Sequence, residues 1–130
     1  MTSNILVVGL GYIGLPLALR LAEIGHTVYG EDTDTDRQRQ IADRVSPWSL
    51  EPKINEKLQE TLMRLWSGDL YDTIIFCTPV DTEDCQQLLN VMSGYDLEDK
   101  LVIVESTLPL NGTDKVKAAL PESSNFAYAP

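Results

Sequence analysis

Residues 4–14 read Asn4-Ile5-Leu6-Val7-Val8-Gly9-Leu10-Gly11-Tyr12-Ile13-Gly14, and the reading of this stretch decides the fold. Its first part is an aliphatic, β-branched run without polar alternation, the pattern of a strand covered on both faces inside a parallel sheet. Its second part spaces three glycines as G-x-G-x-x-G. Each glycine has a steric job: Gly9 permits a tight turn, Gly11 lets a pyrophosphate approach the backbone, and Gly14 lets the next helix pack closely on the strand. That helix is expected over residues 12–24, where Ile13, Leu17, Leu21 and Ile24 recur at helical spacing with Ala18 and Ala22 as small neighbours. Pro16 falls in its first turn and Gly25 stops it. Three glycines in six residues are a weak signal alone. Between a strand and a helix they form a phosphate-binding turn, because the helix's leading N–H groups then face an anion.

Residues 27–31 (TVYGE) read as a second strand, followed by Asp32, which stands eighteen residues after Gly14. A carboxylate about twenty residues beyond the glycine turn accepts hydrogen bonds from the adenosine ribose of a dinucleotide. A 2′-phosphate there would meet like charge, so NAD is favoured over NADP. Glu31 competes with Asp32 for this role, whereas Asp34 and Asp36 read as solvated acids of the loop.

Further along, a helix is expected at about residues 35–43. The stretch 51–66 favours a helix, with Ile54, Leu58, Leu62 and Leu65 at helical spacing and a short strand at its end as the alternative. Residues 73–78 (TIIFCT) form a strand stopped by Pro79. A helix follows over 83–92 with Leu88, Leu89 and Met92 inward, then a strand at 101–105. After the turn from Pro109 to Gly112 comes a short helix ending before Pro121, and Asn125 to Tyr128 reads as a last strand. Strands alternating with helices imply an α/β fold: a Rossmann-type, doubly wound parallel sheet with helices on both faces.

The chain of 130 residues, 43% hydrophobic and 23% charged, suits a single domain over 1–130 with one packed core. No apolar run approaches the roughly 20 residues of a membrane span, and no basic stretch precedes residues 5–10 as a signal peptide would require, so a cytoplasmic location and no membrane partner are expected. The net charge of −10 argues against nucleic acid. Cys77 and Cys85, without a nearby His, suggest neither a disulfide framework nor a metal site. Cys77 reads as a small core residue and Cys85 as a residue of a helix surface or edge. His26 reads as part of a helix-to-strand turn, and Trp48 and Trp66 as covers of the core, with Trp48 also available to a partner surface.

Particular residues add a resemblance. Gly9-Leu10-Gly11-Tyr12-Ile13-Gly14-Leu15-Pro16-Leu17-Ala18, Gly30-Glu31-Asp32, Glu51-Pro52 after Pro47, Ile75-Phe76-Cys77-Thr78-Pro79, and Glu105-Ser106-Thr107-Leu108-Pro109 with Gly112-Thr113 resemble the N-terminal domain of the UDP-glucose/GDP-mannose/UDP-N-acetylmannosamine dehydrogenase family. The first and last of these are the specific ones, since that family follows the second glycine with Tyr and the third with Leu-Pro. Departures are Val80 where a hydroxyl is usual, a shorter stretch before Thr73 and after Pro79, and one extra residue in the turn at Leu110-Asn111. Tyr128-Ala129-Pro130 resembles the start of the family's Ser-Pro-Glu segment.

The resemblance implies NAD as cofactor, held by Gly9, Gly11, Tyr12, Ile13, Gly14, Asp32, Thr78, Pro79, Ser106 and Thr107. It implies membership of a family of oxidoreductases that, in polysaccharide biosynthesis, oxidise a nucleotide-sugar C6 alcohol to a carboxylate in two steps, through a thiohemiacetal on a catalytic Cys. Neither cysteine here matches that Cys, and no counterpart of the central helical or nucleotide-sugar domain is present. Thr107 is the one residue placed near the reacting end of NAD and so the candidate catalytic position; its blander reading is a β-branched strand terminus. The chain alone is therefore expected to bind NAD without turnover, taking a nucleotide sugar only with the missing domains, with a homodimer or a partner chain as further company. The other readings are a non-catalytic NAD-binding or regulatory module, and a β-hydroxyacid dehydrogenase relative.

Overall fold

The computed structural model describes residues 2–45, 52–61, 63–80 and 84–130. Its strands are β1 (Asn4–Val8), β2 (Thr27–Glu31), β3 (Arg64–Leu65), β4 (Thr73–Phe76), β5 (Leu101–Val104) and β6 (Asn125–Tyr128). Its helices are α1 (Gly14–Glu23), α2 (Thr35–Ala42), α3 (Pro52–Glu60), α4 (Gln86–Met92) and α5 (Gly112–Ala118). All pairings are parallel, in the order β3-β2-β1-β4-β5-β6. This is the expected Rossmann-type sheet. The ambiguous segment resolves as a helix first and a two-residue strand at its end.

Side-chain alternation explains why both faces carry helices. Along β1, Ile5 and Val7 pack on one face with Leu15, Ala18 and Leu19 of α1, Ile41 of α2 and Leu58 of α3. Leu6 and Val8 pack on the other with Leu88 and Met92 of α4 and Val116 of α5. Strand β4 splits in the same way, Ile75 joining the first core and Ile74 and Phe76 the second. A period of two thus feeds two cores from one strand. Leu6, Leu15, Leu19, Leu88 and Phe76 are wholly buried, each contributing about 1.5–3 kcal/mol of transfer free energy.

Between β3 and β4, residues 66–72 cross the second face without a helix, in keeping with the short stretch before Thr73. Aromatic rings take its place: Trp66 lies 6.2 Å from Tyr71 and 5.8 Å from Tyr95, and Tyr95 lies 5.8 Å from Phe76. Trp66 therefore covers the core as expected. The Trp48, Pro47 and Glu51 readings, like Asp81 beside Val80, lie outside the described residues. His26 sits in the α1–β2 turn, its Nδ1 accepting from the Ser3 N–H at 3.0 Å.

One expectation is corrected. Cys85 is not at a helix surface but fully buried, at φ 59° immediately before α4. Its Sγ packs so closely under α5 that a Cβ on Gly112 would stand 3.2 Å from it. The helix starts later than 83, and the polar neighbours of Cys85 in sequence hid the burial. Elsewhere α1 begins at Gly14 rather than 12, and β4 ends at Phe76 rather than Thr78. Among the described residues no helix is long and apolar enough to cross a membrane.

Candidate functional site

Strand order reverses at β1, whose neighbours β2 and β4 lead to opposite halves of the sheet. In open α/β sheets, ligands bind in the crevice outside the strands' carboxyl ends at that switch point. A cleft of about 560 Å³ lies there. The ends of β1, β2 and β4 supply Val8 and Gly9, Glu31 and Asp32, and Cys77 and Thr78 to its walls.

The glycine turn lines this cleft through Gly9 and Gly11. Gly9 adopts φ +95°, and a Cβ on it would stand 2.9 Å from the Cys77 carbonyl carbon. A Cβ on Gly14 would fall 1.6 Å from the Gly9 oxygen, so helix and turn meet there with no room for a side chain. Gly11 differs: nothing lies within 4 Å of where its Cβ would be, and the residue lines the cleft. The open space is a cradle that a side chain would fill. Helix α1 begins with neither a side-chain cap nor an acidic residue in its first turn, leaving a partial positive charge for an anion. Tyr12 and Ile13, 70% and 62% exposed, line the mouth.

Asp32 stands opposite. Its carboxylate accepts from the Leu10 N–H at 2.7 Å and from the Asp34 N–H at 2.8 Å, and pairs with Arg37 Nη1 at 3.3 Å. Only 8% of the Asp32 side chain is exposed. The reading of Asp34 and Asp36 as solvated holds for their exposure, although Asp34 also caps α2 by accepting from the Arg37 N–H. Glu31, the competitor, lines the same cleft, but its carboxylate accepts a hydrogen bond from the Tyr95 hydroxyl.

On the β4 side, Thr78 and Pro79 line the cleft. Thr78 Oγ1 is buried and has no hydrogen-bond partner among the described residues, a satisfiable polar atom held ready beside the opening. Ser106 and Thr107 are not among the lining residues. The Ser106 hydroxyl donates to the Thr78 carbonyl, so Ser106 buttresses the wall, while Thr107 is exposed. Cys77, partly buried where it lines the cleft, has its thiol pushed up to about 12, first by burial and then by the Glu105 carboxylate. Among the described residues no cluster of His, Cys, Asp or Glu could hold a metal.

Sequence reasoning missed Arg37, Val91 and Tyr95, which also line the cleft. Arg37 was findable, since it stands in the first turn of a helix that begins just after Asp32. Tyr95 carries no local signal. Cleft, open cradle at Gly11, uncapped helix start, hydroxyl-accepting carboxylate and orphaned Thr78 hydroxyl together suit a dinucleotide.

Comparison with known proteins agrees. The sequence profile of the UDP-glucose/GDP-mannose dehydrogenase family, NAD binding domain, matches residues 3–128. A UDP-N-acetyl-D-mannosamine dehydrogenase from Methanococcus aeolicus is 31% identical over 98% of this chain and 34% of its own length. The solved UDP-D-ManNAc dehydrogenase of Pyrococcus horikoshii superposes with a TM-score of 0.79 at 27% identity, over 96% of this chain and 35% of that one. The 3-hydroxyisobutyrate dehydrogenase of Mycobacterium tuberculosis, at 21% identity and a TM-score of 0.67 over 100% of this chain and 40% of that one, shares the fold. The chain spans about a third of the length of the curated relatives it matches. With its glycine turn, its Rossmann sheet and a profile match over nearly its whole length, the chain belongs to the UDP-glucose/GDP-mannose dehydrogenase family and carries that family's NAD-binding domain.

Proposed function

We propose that residues 1–130 act as the coenzyme domain of a nucleotide-sugar 6-dehydrogenase, with the sugar site and the catalytic thiol outside these residues. The observation that carries this reading is the cleft at the β1 switch point, open at Gly11 and bounded by Asp32 and Thr78. Gly9 and Gly14 shape the turn, and Gly11, Tyr12 and Ile13 border the pyrophosphate. The Asp32 carboxylate, with Arg37 beside it, takes the adenosine ribose. Thr78 offers its buried hydroxyl, Pro79 forms the rim, and Ser106 holds the Thr78 carbonyl from behind. NAD bound in such a cleft supplies a hydride acceptor for an alcohol carbon. Thr107, which is exposed, borders the reacting end and stands ready to meet a substrate held by another domain or a partner chain.

NAD is preferred to NADP because the Asp32 carboxylate would repel a 2′-phosphate, and Arg37 is already paired with that carboxylate. Calorimetric titration with both dinucleotides tests the reading. Tighter binding of NAD by about tenfold or more is expected. Equal affinity would remove Asp32 from the role, and no binding of either would remove the cleft.

A further inference from the structure

Glu31 and Tyr95 are 64 residues apart in sequence and meet in the wall of the cleft. Glu31 ends β2, in which Tyr29 faces the second core while Gly30 backs against Leu10 of the first. By alternation Glu31 shares the side of Tyr29. Tyr95 is held there by Phe76 and Trp66, each 5.8 Å from its ring. The Tyr95 hydroxyl donates to Glu31 Oε2, and Glu31 Oε1 has no hydrogen bond among the described residues. Burial, followed by the Glu31 carboxylate, raises the Tyr95 pKa, so the phenol remains a donor across the neutral range. Val91 adds an apolar wall beside the pair.

A carboxylate in this position needs a partner chemistry. Glu31, Asp32 and Asp34 all line the cleft, and Arg37 beside them is paired with Asp32, so the ligand groups that meet these carboxylates must be donors rather than anions. Asp32 suits ribose hydroxyls. Glu31 follows Gly30 at the end of β2, next to Asp32, and with Tyr95 lines the same cleft, so the pair borders the ribose end to which the base is joined.

We propose that the Glu31–Tyr95 pair closes the base end of the cleft and selects a purine bearing an exocyclic amine. Glu31 Oε1 accepts from that amine, and Tyr95 is a positioning residue that holds the carboxylate in place. This rests on the dinucleotide reading above.

The test is calorimetric titration of the 130-residue chain with NAD and with nicotinamide hypoxanthine dinucleotide, in which a carbonyl oxygen replaces the amine. The wild type should bind the hypoxanthine analogue about tenfold or more weakly, since an acceptor would face an acceptor. Glu31→Gln should erase or invert that ratio, because its amide can donate to the carbonyl. Tyr95→Phe should narrow the ratio by freeing the carboxylate, a change that a merely structural role for the phenol would not produce. Near-equal affinities in the wild type overturn the proposal, as does a strong preference that survives in Glu31→Gln. The wild-type ratio decides even where a variant fails to fold. Failure of NAD itself to bind would instead overturn the dinucleotide reading, leaving the two outcomes distinct.

Discussion

The backbone N–H of Leu10, inside the glycine turn, donates to Asp32 Oδ2 at 2.7 Å. The turn after β1 and the acid after β2 are thus one hydrogen-bonded unit, assembled before any ligand arrives. A carboxylate so placed both shapes the turn and faces the cleft.

Replacing Asp32 should therefore show two effects. Asp32→Ala should weaken NAD by about 10- to 100-fold, the loss of a charged hydrogen bond of about 1.5–3 kcal/mol. It should also lower stability by about 1–3 kcal/mol, because the Leu10 N–H loses its partner. Titration and thermal unfolding measure these separately, and an unchanged melting temperature would show that Leu10 is satisfied by water.

Gly11 and Gly14 should separate binding from folding. Gly11→Val adds atoms where nothing lies within 4 Å, so the fold should survive while dinucleotide binding disappears. Gly14→Ala would put a Cβ 1.6 Å from the Gly9 oxygen, and the turn must then break. Circular dichroism with titration checks both. A folded Gly11→Val that binds NAD normally would place the phosphates elsewhere.

Cys77 should resist thiol reagents in the folded chain. Burial raises its pKa from the ordinary 9.0 to about 12, so at about pH 8 the thiolate is scarce and the native protein should be labelled far more slowly than the denatured one. The raised value also has a stability consequence. Its contribution is fully present below pH 9 and is lost as pH rises towards 12, because the unfolded chain releases the proton first. Unfolding measured across that window should show falling stability, less steeply in Cys77→Ala.

Purified residues 1–130 should show no NADH production with UDP-glucose, GDP-mannose or UDP-N-acetylmannosamine. Hydride transfer needs the sugar carbon held close to the cofactor, which is where much of the rate advantage arises. Both cysteines are unsuited to trapping an aldehyde: Cys85 is fully buried and Cys77 holds its proton. Absorbance followed for hours at high protein concentration checks this. Steady turnover that vanishes in Thr107→Ala would reveal a complete small enzyme.

Much of the site was legible in the sequence because its parts are local. Gly9, Gly11 and Gly14 act through sterics within a few residues, and the strand–turn–helix around them follows from apolar periodicity. Asp32 follows from its distance along a βαβ unit. Arg37 stands in the helix turn just beyond it and could have been read the same way. Cys85 was misread because its sequence neighbours are polar, whereas its burial comes from α5, more than twenty residues away.

The amino-acid sequence alone determined the strand and helix order, the glycine turn and the acid that follows it, since periodicity and steric demand are written in adjacent residues. Only the tertiary structure decided that Tyr95 meets Glu31, that Ser106 backs Thr78, and that aromatic rings replace a crossover helix on the second face. Those contacts join segments far apart in the chain, and they exist only once parallel strands bring their carboxyl ends to one edge.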